Sequence, residues 1–192
     1  MKLTKLLERL DYKVVAGSDN IEITELVNDS RKVVPGSVFV CISGAVSDGH
    51  QYVKDVAEKG AAAVIVEKDV ELPEGLTVIK VEDTRYALAL TSAAYFGYPA
   101  EKLKTIGITG TKGKTTTTYM VKAILEEVGH KVGLIGTIEA IIGDKTIPSN
   151  NTTPESYTIQ KYFAQMVEAG CDCVVMEVSS QGLMLHRTAG IM

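Results

Sequence analysis

The residues best suited to chemistry in this 192-residue sequence lie in one short stretch of glycine, lysine and threonine. Glycines let the backbone turn with its N–H groups inward, and a helix beginning there adds partial positive charge, so the expected ligand is a polyphosphate. Lys114 would neutralise the outer phosphates and is the predicted catalytic residue, while the Thr115 hydroxyl would reach a magnesium ion. The predicted nucleotide-binding residues are Gly110, Thr111, Lys112, Gly113, Lys114, Thr115 and Thr116.

The stretch departs in one place from the complete phosphate-loop pattern, because Ile108 stands where the first glycine would be and Gly107 comes one residue early. The alternative is a turn that only caps a helix, but capping requires neither the lysine nor two glycines. The flanking elements favour a phosphate loop, since a β-branched strand is predicted over 104–109 and a helix after it. That helix has apolar residues at i, i+3 and i+4 spacing: Met120, Val121, Ile124, Leu125 and Val128.

A second candidate element is Glu177, which closes an apolar run that begins at Cys173. The carboxyl ends of parallel strands meet at one edge of a sheet, beside the phosphate loop, so this acid is expected near Thr115. Magnesium prefers hard oxygen ligands, and we predict that Thr115 and Glu177 hold it. The alternative is an acid that is simply solvated at a strand end.

Strands alternate with helices along the chain, which predicts an α/β fold with a mainly parallel sheet in its second part. We place a domain boundary near Pro99, with domains at 1–99 and 100–192. The predicted elements of the first domain are helices at 2–10, about 50–60 and 83–96, the last capped by Asp83, and strands at 21–27, 37–42, 62–67 and 77–81.

The second domain continues after the phosphate loop with a strand at 131–136, a hairpin about Gly143 and a polar loop at 148–153. A helix at 154–169 follows, with Thr153 as its N-cap and Pro154 as its first residue. Its predicted buried face consists of Ile159, Tyr162, Phe163, Met166 and Val167. A strand at 172–178 comes last.

Composition limits the function classes. The net charge is −4 and no run of like charges occurs, which argues against a nucleic-acid-binding surface. No apolar stretch reaches the roughly 20 residues that span a bilayer, so we expect no membrane insertion and a cytoplasmic protein. Cys41, Cys171 and Cys173 lack partners at metal-ligand spacing and are interpreted as reduced, mostly buried thiols.

Three motifs together resemble the Mur ligases, and among them the ligase that adds the third residue of the peptidoglycan stem peptide. The phosphate loop alone would also fit folylpolyglutamate synthetase and the other Mur ligases, whereas the two later motifs narrow the choice. The N-terminal part resembles the same family through Asp29-Ser-Arg31, Pro35-Gly36, Phe39 and Asp48-Gly-His50. The three motifs are Gly110-Thr-Lys-Gly-Lys-Thr-Thr116, Asn151-Thr-Thr-Pro-Glu155 and Glu177-Val-Ser-Ser-Gln-Gly-Leu-Met-Leu-His-Arg187.

The resemblance implies a reaction. In such ligases ATP, with Mg²⁺, phosphorylates the D-Glu carboxylate of UDP-MurNAc-L-Ala-D-Glu, and the amine of a diamino acid then attacks the acyl phosphate. Such a reaction depends on charge neutralisation and alignment, which suits the predicted loop. The alternative from another class is a binding module that holds the UDP-sugar and ATP without catalysis. A phosphate-loop kinase is less favoured because no lid or acceptor site is evident.

The resemblance also assigns substrate contacts. Ser30, Ala45, Val46 and Ser47 match positions that hold the uridine diphosphate part. Positions that hold the MurNAc and phosphate part match Asn151, Thr152, Thr153, Ser179 and Arg187. For three of these residues a structural role is the alternative: Ser30 in a turn, Thr153 in a helix cap and Arg187 in a surface ion pair.

Two neighbouring residues add no contact. His186 is interpreted as structural. Leu185 stands where the resembling proteins place glutamine, which removes one polar sugar contact.

Ligases of this family continue well beyond the length seen here, with further metal ligands and a domain that binds the incoming amino acid. The resemblance therefore implies an N-terminal piece of such an enzyme, inactive by itself, with an unpaired sheet edge and some exposed apolar surface. The choice between meso-diaminopimelate and L-lysine as the added residue, and the oligomeric state, stay open.

Overall fold

The computed structural model describes residues 1–44 and 47–191. The chain divides into two compact units, Met1–Tyr95 and Phe96–Met192. Each unit contains one five-stranded, mainly parallel sheet flanked by helices, so the predicted α/β architecture is confirmed. In the described part of the chain, no helix has both the length and the apolar character needed to cross a bilayer.

The sheet of the first unit has the order β1-β5-β4-β3-β2, in which β1 is antiparallel to β5 and the other neighbours are parallel. Two short 3₁₀ helices, Ser30–Lys32 and Gly49–Tyr52, lie in its connections. The elements are α1 (Leu3–Leu6), β1 (Lys13–Ala16), β2 (Leu26–Val27), β3 (Val38–Val40), α2 (Val53–Glu58), β4 (Ala63–Val66), β5 (Thr77–Lys80) and α3 (Thr84–Tyr95).

The sequence predicted most of this unit, with three differences at its edges. The helix expected over 2–10 is regular only in α1, although the predicted face is buried at Leu3, Leu6 and Leu7. The strand expected over 21–27 shrinks to β2, and β1 was not predicted because its residues alternate between exposed and half-buried. The Asp83 cap of α3 is confirmed, since its carboxylate accepts the Tyr86 N–H at 2.8 Å.

The sheet of the second unit has the order β6-β10-β7-β8-β9. The first three strands are parallel and the last two form an antiparallel hairpin, as predicted about Gly143. Short 3₁₀ helices lie at Pro99–Lys102 and Ala189–Ile191. The elements are β6 (Lys104–Ile108), α4 (Lys114–Glu127), β7 (Val132–Ile135), β8 (Glu139–Ile142), β9 (Lys145–Pro148), α5 (Ser156–Glu168), β10 (Cys173–Glu177) and α6 (Ser180–Met184).

Helix α5 supplies the larger core of this unit. Ile159, Phe163 and Met166 are fully buried and Tyr162 and Val167 pack beside them, which confirms the predicted face. The start of the helix was predicted wrongly: α5 begins at Ser156 after Glu155, and no side chain caps it. Thr153, the expected cap, uses its hydroxyl in hydrogen bonds to Glu177 and Ser179 instead.

Helix α4 forms as predicted, but only part of its apolar surface is buried. Val121 and Leu125 pack against Val132, Cys173 and Val175 in a small core cluster. The rest of the stripe is exposed. Its members Met120, Ile124 and Val128 are 60%, 63% and 69% exposed.

Candidate functional site

The loop that joins β6 to α4 has the backbone that its glycines predict. Gly110 and Gly113 have φ of +148° and +79°, a region that residues with a Cβ rarely adopt. Nothing lies within 4 Å of a Cβ added at Gly113, so a side chain would have room there. The backbone conformation, rather than crowding, therefore requires glycine. Gly113 is also the N-cap of α4, and the first N–H groups of a helix have no partner inside it. The first N–H groups of α4 therefore lack partners inside the helix and can donate to a ligand at this turn.

Lys114 begins α4 and folds back over the loop, where its ammonium donates to the Gly110 carbonyl at 2.8 Å. Thr111, Lys112 and Thr116 are exposed along the same turn. The loop and the first turn of α4 thus carry backbone donors, two ammonium groups and hydroxyl groups. This is an arrangement that binds anions.

Glu177 is the last residue of β10 and is only 1% exposed. Its Oε2 accepts hydrogen bonds from the Thr115 hydroxyl at 3.0 Å and the Thr137 hydroxyl at 3.1 Å. Its Oε1 accepts the Thr137 N–H at 2.8 Å. The two residues predicted to share a metal are therefore in direct contact, across 62 positions of sequence.

The donor set fits a magnesium ion. All three donors to the Glu177 carboxylate are neutral, and a buried charge with only neutral partners is stabilised when a cation joins it. Carboxylate and hydroxyl oxygens are the ligands that magnesium prefers. Gly136 leaves room for this carboxylate, since an added Cβ would lie 2.6 Å from Oε1. The role of Thr115 and Glu177 as ligands stays a prediction.

Thr137 was missed in the sequence. Besides holding both oxygens of Glu177, its hydroxyl lies 3.0 Å from that of Thr152, so it links the acid to the polar loop before α5. A signal was available, because Thr137 comes two residues after the end of β7, at the same edge of the sheet as the end of β10.

Four of the predicted substrate residues cluster beside Glu177. Thr153 donates to the Glu177 carbonyl at 3.0 Å and accepts the Ser179 N–H at 2.9 Å, which explains why it does not cap α5. Ser179 in turn caps α6 through the Gly182 N–H at 3.0 Å. Thr152 joins the cluster through Thr137.

Arg187, the fourth, donates to the Thr153 carbonyl at 2.8 Å and to Glu155 at 2.5 Å. The ion pair considered as the alternative therefore forms, with side chains that are 13% exposed for Arg187 and 37% exposed for Glu155. The Nε atom of Arg187 is buried without a hydrogen-bond partner. Asn151 is exposed, and its carbonyl accepts the Ser149 hydroxyl at 2.9 Å.

The predicted uridine diphosphate residues belong to the first unit. Ser30 opens a 3₁₀ turn that Asp29 caps, and the Ser30 carbonyl accepts the Lys59 ammonium at 2.7 Å. Hydrogen bonds from the Arg31 side chain and backbone lower the pKa of Asp29 to about 2. Ser47 bonds to the Tyr52 hydroxyl at 3.0 Å. The other predicted positions, Ala45 and Val46, lie outside the described residues.

A polar network joins described residues that flank those two positions. His50 is buried, and its Nδ1 lies 2.6 Å from Asp48, while its Nε2 accepts the Glu67 N–H at 3.1 Å. Nε2 is therefore unprotonated and Nδ1 carries the proton. Hydrogen bonds from Lys68 and from His50 hold the pKa of Asp48 well below its usual range.

Glu67 belongs to the same network. Its Oε1 accepts the Ser43 hydroxyl at 2.6 Å, and its Oε2 accepts the Thr84 N–H at 2.9 Å and the Thr84 hydroxyl at 2.8 Å. Burial alone would raise the pKa of Glu67, but these hydrogen bonds hold it below the ordinary value.

Two family models match the chain. Residues 22–128 match the Mur ligase family, catalytic domain, and residues 108–192 match the Mur ligase middle domain. Among curated proteins, the chain is 49% identical to the UDP-N-acetylmuramoyl-L-alanyl-D-glutamate--2,6-diaminopimelate ligase of Clostridium perfringens and 48% identical to that of Bacillus licheniformis. These matches cover 100% and 99% of the chain, but 40% and 39% of the relatives.

Solved structures show the same fold. A UDP-N-acetylmuramoyl-L-alanyl-D-glutamate--2,6-diaminopimelate ligase matches 99% of the chain and 38% of its own length, with a TM-score of 0.80 and 21% identity. MurF from Acinetobacter baumannii matches 93% of the chain and 36% of its own length, with a TM-score of 0.60 and 23% identity.

Proposed function

The chain belongs to the Mur ligase family, and we propose that it forms the substrate-holding and nucleotide-holding part of a ligase that adds a diamino acid to UDP-MurNAc-L-Ala-D-Glu. The observation that carries the proposal is the contact between Thr115 of the phosphate loop and the buried Glu177. In this proposal residues 1–99 hold the uridine diphosphate part of the UDP-sugar, and residues 100–192 hold ATP and contact the MurNAc part.

The proposed reaction has two steps. A carboxylate oxygen of D-Glu attacks the γ-phosphorus of ATP, so the bond to the β-phosphate oxygen breaks and an acyl phosphate and ADP form. The amine of the diamino acid then attacks the acyl carbon, inorganic phosphate leaves, and the ammonium proton passes to solvent. The product is an amide bond in a peptidoglycan precursor.

The chain's own residues supply charge neutralisation and alignment for the first step. The ammonium of Lys114, which lies against the Gly110 carbonyl, would exchange that acceptor for a phosphate oxygen. The free N–H groups at the start of α4 would bind the other phosphate oxygens. When bound beside Thr115 and Glu177, Mg²⁺ would neutralise further phosphate charge.

Substrate binding is proposed for residues in both units. Ser30 and residues 45–47 would contact the uridine diphosphate. Hydroxyl and amide groups satisfy sugar and phosphate oxygens, and the guanidinium of Arg187 carries the positive charge among them. The proposed contacts to the MurNAc part are made by Asn151, Thr152, Thr153, Ser179 and Arg187.

The chain spans about 40% of the length of the curated relatives it matches, so we infer binding without turnover for these 192 residues alone. The relatives' names favour 2,6-diaminopimelate as the incoming amino acid of the whole protein. We place the protein in the cytoplasm, because ATP and UDP-linked precursors are available there.

Calorimetry of the 192-residue protein tests the proposal. We expect one site for UDP-MurNAc-L-Ala-D-Glu and one magnesium-dependent site for ATP. Lys114→Ala should weaken ATP binding by about tenfold or more, since charge-assisted hydrogen bonds are worth about 1.5–3 kcal/mol. The control is Lys122→Ala, which removes the same charge from the same helix and should leave ATP binding unchanged. Release of ADP and phosphate by this chain alone, or equal effects of both variants, would contradict the proposal.

A further inference from the structure

Three potential metal ligands meet at the end of the second sheet that lies opposite Glu177. His130 comes two residues before the start of β7, and Asp172 and Cys173 stand at the start of β10. Strands β7 and β10 are parallel neighbours, with Cys173 beside Val132 in register. Their amino ends therefore bring the three side chains together, although His130 and Asp172 are 42 positions apart in sequence.

The distances suit a single ion. One ligand atom from each of the three residues lies within 4.8 Å of the others. The Nδ1 of His130 is 2.6 Å from Oδ2 of Asp172, a hydrogen bond that already brings nitrogen and oxygen together. The other carboxylate oxygen of Asp172 accepts the Lys131 N–H at 3.0 Å, which fixes the orientation of the acid. Cys173 is 1% exposed, whereas His130 and Asp172 have 29% and 52% exposed side chains, so an ion has access.

The local charge favours a cation. Helix α4 ends just before His130, whose N–H donates to the Leu125 carbonyl at 3.0 Å. The carbonyl end of a helix carries partial negative charge, which stabilises a nearby cation. A thiolate, a carboxylate and a neutral imidazole together balance a divalent ion. The nearby ammonium of Lys131 does not compete, because it donates to the Ala169 carbonyl at 2.6 Å.

We propose that His130, Asp172 and Cys173 bind a zinc-like transition-metal ion, independently of the nucleotide site. Sulfur, imidazole and carboxylate ligands suit zinc better than magnesium, and three protein ligands leave a fourth position for water. With bonds of about 2.0–2.3 Å, tetrahedral ligand atoms stand about 3.3–3.6 Å apart, so the His130 ring must move away from Asp172 by under about 1 Å.

Binding must displace protons. The pKa of the Cys173 thiol is raised mainly by burial. Asp172 and Cys171 raise this pKa further, whereas the charge of Lys104 lowers it. The free protein therefore holds a thiol, and its proton leaves to the buffer when the sulfur binds the ion. For Nδ1 of His130 to bind the metal, the single ring proton must stand on Nε2, so the imidazole ligand stays neutral.

Titration with Co²⁺ and Zn²⁺ tests the proposal, because thiolate-bound cobalt gives a charge-transfer absorption band that carboxylate-bound cobalt lacks. The 192-residue protein should bind one ion per chain with this band, and excess Zn²⁺ should remove it. Cys173→Ser should abolish the band, and His130→Gln should weaken binding by at least about tenfold.

The matched control is Cys171→Ser. Cys171 is also buried and only two positions away, but it belongs to the core cluster of α5, whereas Cys173 belongs to the cluster of α4. This variant should bind cobalt as the parent protein does. The proposal is overturned if no thiolate band forms, or if the band persists in Cys173→Ser. Loss of the band in Cys171→Ser, with circular dichroism showing an unchanged fold, would also overturn it. The outcome does not depend on nucleotide binding, so it is separate from the test of the proposed function.

Discussion

Two glutamates in the two units are held in nearly the same way and differ in what surrounds them. Glu67 follows β4 and Glu177 ends β10, so each lies at the carboxyl end of a parallel strand. Each carboxylate accepts both the N–H and the hydroxyl of one threonine, Thr84 or Thr137, and one further hydroxyl. The local hydrogen-bond chemistry alone therefore does not distinguish a structural acid from a ligand-binding one.

The two acids differ in the third group that donates a hydrogen bond to the carboxylate. For Glu67 it is Ser43, and the threonine stands at the start of α3, so the acid ties a helix and a loop to the sheet. For Glu177 it is Thr115, the second residue of α4, directly after the phosphate loop. Glu177 therefore owes its proposed role to the loop that faces it.

The largest expected effect comes from exchanging each acid for its amide. Glu177→Gln should weaken magnesium-dependent ATP binding by about 100-fold, because the amide carries no charge to hold the ion. Glu67→Gln should leave ATP binding within about twofold. Calorimetry with and without Mg²⁺ measures both. Equal losses in the two variants would remove the distinction drawn between the two acids.

For the stability of the fold, Glu67 is expected to be an important acid. Glu67→Gln should lower the free energy of unfolding by about 1–3 kcal/mol, the usual range for a lost hydrogen-bonded charge. Urea unfolding followed by circular dichroism measures it. The control is Glu58→Gln, an exposed glutamate at the end of α2, which should change stability by less than about 0.5 kcal/mol. A loss no larger than that of the control would show that Glu67 is not a structural anchor.

Thr137 donates two of the three hydrogen bonds to the Glu177 carboxylate. Thr137→Val removes one hydroxyl from the Glu177 carboxylate and should weaken ATP binding in Mg²⁺ by about five- to tenfold. Thr137→Ser keeps the hydroxyl and should retain most of the affinity. Thr146→Val, at an exposed position of β9, is the control for the change of side chain. If Thr137→Ser loses as much affinity as Thr137→Val, the hydroxyl is not what positions the acid.

The smallest effect is a pH dependence. The folded pKa of Glu67 lies below its ordinary value, so its stabilising contribution is present above about pH 4.3 and is lost as pH falls through the folded pKa. The stability difference between the parent protein and Glu67→Gln should therefore be constant near neutral pH and shrink in acid. Urea midpoints at several pH values between about 3 and 7 measure it. A difference that grows in acid would contradict the sign of this shift.

The sequence predicted the parts of the site that depend on local chemistry. Gly110, Gly113 and Lys114 belong to a continuous motif, and Glu177 was found because an apolar strand ends in an acid. Thr137 was missed because its partners lie 40 and 15 residues away and are set by the order of strands in the sheet. Thr153 was predicted as a cap from its position before proline, but two tertiary hydrogen bonds hold its hydroxyl instead.

In the fold and at the candidate metal site, too, the sequence predicted what local patterns determine and missed what tertiary contacts determine. The central strands are continuous apolar runs and were predicted. The edge strands β1 and β2 were missed or shorter than expected, because partly exposed strands show only a weak hydrophobic pattern in the sequence. The cysteines were interpreted as reduced, mostly buried thiols because no partner lies at metal-ligand spacing from them in the sequence. His130 reaches Cys173 only through the parallel pairing of β7 and β10.

The strand that leads into the phosphate loop, β6, stands at the border of its sheet and, among the described residues, pairs with β10 alone. Alternate amides of a border strand face outward, so they exchange their hydrogens with solvent faster than those of the enclosed β10. The strand that leads into the phosphate loop is therefore expected to open at a low free-energy cost. Binding of a ligand in the loop, or of a partner along this edge of the sheet, should therefore lower deuterium uptake along β6.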